Sequence, residues 1–298
     1  MNIPNLEKNK KLAPFTTYKI GGPADFFAEV YSIDELINSV SEARRNKIPY
    51  FLLGCGANIL VTDRGFRGLV IHNLANKIIF HEAERVSAES GVVVADLIEK
   101  CRDRGLSGFE HFAGIPSTIG GAMWQNLHFL SPDRKRTVFI EEIVRRSRIY
   151  KEEGKFSTVG ADYFQFGYDK SILHGRKDIV LEVTFQLKPK PKEEIQSVID
   201  ANIAWRIEKQ PQLEEYPSCG SVFRKIDGIG AGRFIEQAGL KGMRIGGAEV
   251  SKKHSNFIVN TGNAKASDVI ELIRHIQEEV KRKLGYSLEP EIAIVGEL

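Results

Sequence analysis

Cysteine is scarce. The 298-residue chain holds three, Cys55, Cys101 and Cys219, far apart and in no C-x-x-C pair. An odd, scattered set of thiols excludes a disulfide framework and a thiolate zinc site and points to a reducing compartment, so a cytoplasmic protein is expected. The seven histidines show no H-E-x-x-H spacing, and no metal is expected. Long apolar runs are missing too. No stretch approaches the roughly 18 residues of a membrane span, and the polar residues 1–12 lack the apolar region of a signal peptide. Nor is there an excess of one charge: 42 basic against 39 acidic residues leave +3, which gives no case for nucleic acid or a membrane surface as partner. The short basic clusters "RRSR" at 145–148 and "KRK" at 281–283 read as solvated faces.

What the chain has is 42% hydrophobic residues, enough for one large or two ordinary cores. Ser32-Ile-Asp-Glu35 has the form of a capping box, followed by a helical face of Ile33, Leu36, Ile37, Val40 and Ala43. "IPYFLLG", "NILV" and "GLVIH" read as strands, "RVSAESG" as a weaker one, and "VADLIEKCRDRG" as a helix stopped near Gly105. "IVLEVTFQL" at 179–187 alternates as a strand does, and "KPKPK" after it reads as a linker. A helix is expected over 193–208. In the last helix Val269, Leu272, Ile273, Ile276, Val280 and Leu284 form one stripe, ended by Gly285, and "EIAIVG" reads as a final strand. Alternating strands and helices indicate an α+β or α/β architecture.

Three glycine segments stand out. "LGCGANILV" at 53–61 follows a strand, where converging backbone N–H groups suit an anion; it lacks the third glycine and following helix of a Rossmann fingerprint. "GIPSTIGGAMWQN" at 114–126 combines Gly114, Gly120 and Gly121 with the hydroxyls of Ser117 and Thr118, at the start of an expected helix whose N-terminus would favour a phosphate. The two together suit a diphosphate-containing cofactor. "TYKIGGPADFF" at 17–27 reads equally as a hairpin or a bulge at a sheet edge.

These segments, with "PSCGSVF", "IEQAGLKGMRIGGAEVSKKHSNFIVN" and "LEPEIAIVG", occur in an order that strongly resembles the UDP-N-acetylenolpyruvoylglucosamine reductases, in their shorter second subtype, over nearly the whole chain. The resemblance implies an α+β fold: a two-lobed FAD-binding domain of the vanillyl-alcohol-oxidase (PCMH) type over 1–188, and a smaller α/β substrate-binding domain over 189–298 whose last strand returns toward the flavin. It implies FAD held by Gly54, Cys55, Gly56, Ala57, Asn58, Ile59, Gly114, Pro116, Ser117, Thr118, Gly120, Gly121 and Asn126. It also implies NADPH as reductant, a UDP-sugar as small-molecule substrate, a monomer, and a place in peptidoglycan precursor synthesis.

The reaction so implied reduces an enolpyruvyl ether to a lactyl ether. A hydride from reduced FAD goes to the terminal alkene carbon, and charge builds toward the adjacent carboxylate. Ser221 matches the family's proton donor and Glu291 its catalytic glutamate, while Tyr168, Arg224 and Lys241 match substrate-binding positions. Without the resemblance, Ser221 reads as a turn serine or a nucleophile lacking a base, since "SCGSV" is not G-x-S-x-G. Two departures stand out. Where the family has arginine after the tyrosine, stabilising the intermediate, this chain has Asp169, with Lys170 next as a substitute cation and Arg145 or Arg146 as alternatives. Lysine is a point charge, not a planar fork. After Asn126 the usual small-residue turn is replaced by "LHFLSPDRKRTVF", which brings in Leu127 and His128. Two alternatives to an active reductase follow: a flavin-binding relative with altered or lost chemistry, or a nucleotide-sugar binder with no redox role.

Overall fold

The computed structural model describes residues 3–297, and the chain divides into two compact units. The first comprises Ala28–Cys55 and Ile71–Trp205, with the N-terminal residues up to Leu6; the second comprises Glu7–Phe27, Gly56–Val70 and Arg206–Leu298. This interleaving differs from the contiguous division at 188/189 expected from "KPKPK". That segment is not a free linker: Lys188–Pro189 pairs antiparallel with Leu106–Ser107, and Lys190 N donates to Gly105 O at 2.8 Å. The passage from one unit to the other falls inside a helix instead.

The first unit is built on a five-stranded antiparallel sheet in the order Phe156–Val159, Val144–Tyr150, Ile179–Gln186, Arg85–Glu89, Ile78–His81. The central strand is the one expected at 179–187, but it is not half-buried: Ile179, Val180, Leu181, Val183, Thr184 and Phe185 are all covered. Thr184 tolerates this because its hydroxyl meets Ser87 Oγ at 2.9 Å on the neighbouring strand. Arg145, Arg146 and Arg148 are exposed on the strand Val144–Tyr150.

Helix α1 (Ile33–Arg45) buries Ile33, Leu36, Val40 and Ala43. Ser32 Oγ caps it by accepting from Glu35 N at 3.2 Å, but Glu35 Oε2 reaches back to Tyr31 N, one residue earlier than a capping box predicts. Helices α2 (Val94–Arg102) and α3 (Ile119–Gln125) share one apolar core with the sheet, through Leu97, Ile98, Ile119, Ala122 and Met123 against Val86, Val183 and Phe185. Helix α4 (Lys192–Lys209) adds Ile195 and Ile199 and a buried Asn202, whose Nδ2 donates to His111 O at 3.2 Å.

In the second unit the final strand Ala293–Val295 lies parallel to Ile59–Val61, immediately after the first glycine turn. A three-stranded antiparallel sheet (Arg244–Ile245, Ala248–Val250, Ile258–Asn260) packs with α5 (Ala231–Gln237) and α6 (Ala266–Leu284). The stripe expected on α6 is buried at Val269, Leu272, Ile273, Ile276 and Val280, and Gly285 closes the helix at φ 79°. Its N-terminus is capped from a distance: Asp63 accepts from Ala266 N at 2.8 Å and Ser267 N at 2.9 Å. "TYKIGG" turns out to be the connection between the antiparallel strands Glu7–Lys11 and Pro23–Val30, with Gly22 N donating to Thr62 O at 2.9 Å.

Candidate functional site

In the first unit the two glycine segments meet. A Cβ on Gly54 would stand 2.5 Å from Thr118 Oγ1, so only glycine lets the strand end approach the start of α3 this closely. Thr118 is the cap of that helix, its Oγ1 accepting from Gly121 N at 3.3 Å. The expected anion seat differs in one respect. The first helical amides are already engaged, Ile119 N with Val92 O at 2.9 Å and Gly120 N with Ser90 O at 2.7 Å. Gly120 therefore serves close packing on Ser90 and does not offer its amide. Gly114 is exposed with φ 79°, and Pro116 and Ser117 are half-buried. Burial, with the charge of Asp96 adding, pushes the Cys55 thiol up to about 11, so it is a neutral thiol and no nucleophile.

In the second unit Gly56 is fixed by φ 62°, and a Cβ there would lie 2.1 Å from Phe15 O. Ala57, Asn58 and Ile59 are half-buried, and Asn58 O accepts from Ala293 N at 3.1 Å.

Helix α3 ends on Asn126, which is fully buried and left-handed at φ 51°. Its Nδ2 donates to Gly167 O at 3.1 Å, while its Oδ1 makes no hydrogen bond. The Gly167 carbonyl opens a tight turn to Lys170, with backbone bonds of 2.9 and 3.3 Å running both ways. In this turn Asp169, at φ 52°, is 1% exposed while Lys170 and Tyr168 are exposed. Ser171 Oγ donates to Trp124 O at 2.8 Å. The divergent segment after Asn126 is an antiparallel hairpin, His128–Leu130 with Thr137–Phe139. It places His128 Nδ1 3.7 Å from Asp169 Oδ1, a contact the sequence did not suggest.

In the second unit Ser221 and Glu291, 70 positions apart (291 − 221), come to adjacent extended segments: Glu291 N donates to Val222 O at 2.7 Å and Arg224 N to Glu289 O at 3.0 Å. On the other side Ser221 bridges Phe257, and Val222 N donates to Asn256 O at 2.8 Å. Asn256 also clamps Phe223 through both ends of its amide, at 3.0 and 2.8 Å. This buried asparagine was missed from sequence, although "KHSNFIVN" carries it. Burial pushes the Cys219 thiol far up, and the Glu291 charge adds to this. Glu291 is half-buried and Glu289 exposed. Arg224 is half-buried with an Nε that finds no partner; Lys241 is exposed and paired with Glu236 at 3.0 Å. Among the described residues no cluster of histidine, cysteine, aspartate and glutamate could hold a metal, and no helix is long and apolar enough to cross a membrane.

Residues 24–160, which include the strand end at Gly54 and the cap of α3, match the family described as FAD binding domain. The second unit gives the particular kind. Residues 210–295 match the UDP-N-acetylenolpyruvoylglucosamine reductase C-terminal domain. The reductase of that name from Caldanaerobacter subterraneus is 40% identical over 97% of this chain and 93% of its own, and that from Shouchella clausii 37% over 98% and 91%. The crystal structure of the reductase from Thermus caldophilus superposes with a TM-score of 0.80 at 32% identity, covering 98% of both chains. The chain belongs to the UDP-N-acetylenolpyruvoylglucosamine reductase family, with its two-domain α+β fold and FAD as cofactor.

Proposed function

We propose that the protein reduces UDP-N-acetylglucosamine enolpyruvate to UDP-N-acetylmuramate with NADPH, as a cytoplasmic monomer supplying peptidoglycan precursor. The observation that carries this reading is that Ser221 and Glu291 lie on adjacent extended segments, joined by Glu291 N donating to Val222 O at 2.7 Å, in a chain of this family. The residues present also fit FAD. Asn126, at the end of α3, holds a buried acceptor with no protein partner.

In this reading Gly54–Ile59, Gly114, Pro116, Ser117, Thr118, Gly121 and Asn126 hold the cofactor, while Gly120 packs on Ser90. Bound FAD supplies a hydride, taken from NADPH, to the terminal alkene carbon. The alkene π bond opens and its electron pair moves toward the substrate carboxylate. Ser221 gives its hydroxyl proton to the neighbouring carbon and regains one from water; general acid help of this kind is worth roughly 10²–10⁴-fold. Glu291 holds the substrate carboxylate as charge builds, and Tyr168, Arg224 and Lys241 hold the UDP-sugar, whose diphosphate needs cationic partners.

The test is a product balance. Purified protein with FAD should consume one NADPH per lactyl ether formed. FAD-loaded protein that oxidises no NADPH with this substrate would be a relative with altered chemistry, and protein that binds the sugar nucleotide but no flavin would be a binder.

A further inference from the structure

The loop 251–257 joins the antiparallel strands Ala248–Val250 and Ile258–Asn260 and holds a half-buried imidazole, His254, that the proposed chemistry does not use. Its Nδ1 accepts from Asn256 N at 3.2 Å, so that nitrogen is unprotonated and the ring proton sits on Nε2. Asn256 in turn grips the segment after Ser221 at three points. Its carbonyl accepts from Val222 N at 2.8 Å, its Oδ1 accepts from Phe223 N at 3.0 Å, and its Nδ2 donates to Phe223 O at 2.8 Å. Ser221 itself bridges Phe257. The imidazole thus stands at the root of the clamp on the segment that carries Ser221. The loop fixes the ring in turn: Ser251 Oγ accepts from His254 N at 3.3 Å, His254 O accepts from Phe257 N at 2.9 Å, and the Phe257 ring stands edge-on at 4.9 Å. On the side of α5, a Cβ on Gly232 would lie 3.5 Å from His254 Cε1 and 3.3 Å from Asn256 N.

A hydrogen bond accepted by Nδ1 exists only while the ring is neutral. An imidazolium has two donors and no acceptor, and would set an N–H against the N–H of Asn256. Burial, with the Lys241 charge adding, holds the ring below its ordinary value; its own backbone and Glu236, paired with Lys241 at 3.0 Å, pull the other way. Of the loop's lysines, Lys253 Nζ donates to Ile207 O, and Lys252 lies along the turn at Gly242, whose Cβ would meet its Cε at 3.4 Å.

We propose that neutral His254, acting through Asn256, positions the Ser221–Phe223 segment, and that a proton on the ring releases it. The loop is a pH-sensitive clamp, and His254 is a positioning residue. What Ser221 does rests on the reductase reading above; the clamp does not.

The experiment uses the FAD-loaded protein and reads clamp and chemistry separately. Amide hydrogen exchange, corrected for the intrinsic effect of pH, gives the protection of Val222, Phe223 and Asn256. Rapid kinetics gives the reoxidation of reduced flavin by the enolpyruvyl sugar. His254→Leu should lower the protection of all three amides roughly tenfold at neutral pH, as for loss of one hydrogen bond. It should slow reoxidation by roughly tenfold or more, through misplacement of Ser221. His254→Asn puts an Oδ1 acceptor where Nδ1 stood, and this one does not titrate. It should restore the protection and hold it in acid, whereas the wild type should lose it below roughly pH 6.5. Should His254→Leu fail to fold, the acid titration of wild type against His254→Asn carries the test. Wild-type protection in His254→Leu, or the same acid loss in His254→Asn as in wild type, would overturn the proposal. Loosened amides with reoxidation unchanged would uphold the clamp and count against Ser221 as proton donor.

Discussion

Single residues carry the fit to the cofactor. Gly54 is where the strand end and the cap of α3 touch, with 2.5 Å between a would-be Cβ and Thr118 Oγ1. Gly54→Ala must push Thr118 aside, at a cost of about 1–3 kcal/mol for overpacking. Thermal unfolding should show that loss, and flavin retained after gel filtration should fall with it; an unchanged flavin content would show that Gly54 serves packing alone. The glycine segments stand out in the sequence on their own, whereas Ser221 and Glu291 are singled out only by the resemblance. The His128–Asp169 pair was not legible. The two residues are 41 positions apart (169 − 128), and what joins them is a hairpin on one side and a left-handed turn on the other, neither of which periodicity reveals. Asn256 escaped for a related reason: a buried amide satisfied wholly by backbone reads in sequence as an ordinary polar residue.

At the scale of elements, α6 shows how far local pattern reaches. Its buried stripe and its glycine stop follow from spacing and left-handed tolerance alone. Its N-terminal cap does not, because Asp63 belongs to a loop some two hundred residues earlier. Burial raises the Asp63 carboxyl, but the hydrogen bonds from Ser267 and Ala266 outweigh it and hold the group below its ordinary value. A depressed carboxylate stabilises the fold above the unfolded value, and that contribution is lost as pH falls through the folded one. Asp63→Ala should therefore cost about 1 kcal/mol near neutrality, as for loss of a cap, and the difference from wild type should shrink in acid. Urea midpoints at both pH values check this; equal midpoints near neutrality would show that the cap contributes nothing. The central strand Ile179–Gln186 marks the limit of pattern reading: alternation found the strand, but only the covering of both faces in the fold shows why its threonine is paired with Ser87.

The whole molecule is organised by contacts that no local window contains. Residues 7–27 and 56–70 fold with the C-terminal segment, and the chain leaves the first unit inside α4, not at the proline-rich stretch. A linker composition suggested a boundary that antiparallel pairing of Lys188–Pro189 removed. The molecule also carries two histidines that burial keeps below their ordinary value, His111 in the first unit and His254 in the second. Below roughly pH 6.5 the unfolded chain takes up protons at these rings while the folded chain resists, so stability falls as pH drops through that region. The unfolding midpoint should be lower at about pH 5.5 than near 7.5, and the double variant His111→Gln, His254→Gln should flatten the slope; an equal slope in the variant would assign the effect to other groups.

The most direct measurement is an anaerobic two-step flavin spectrum on wild type and Ser221→Ala. In both proteins NADPH should bleach the visible flavin band. Added UDP-N-acetylglucosamine enolpyruvate should bring the band back promptly in the wild type and roughly 10²–10⁴-fold more slowly in Ser221→Ala. Recovery at the same rate in both would contradict the account, because the Ser221 hydroxyl would then have no part in the chemistry.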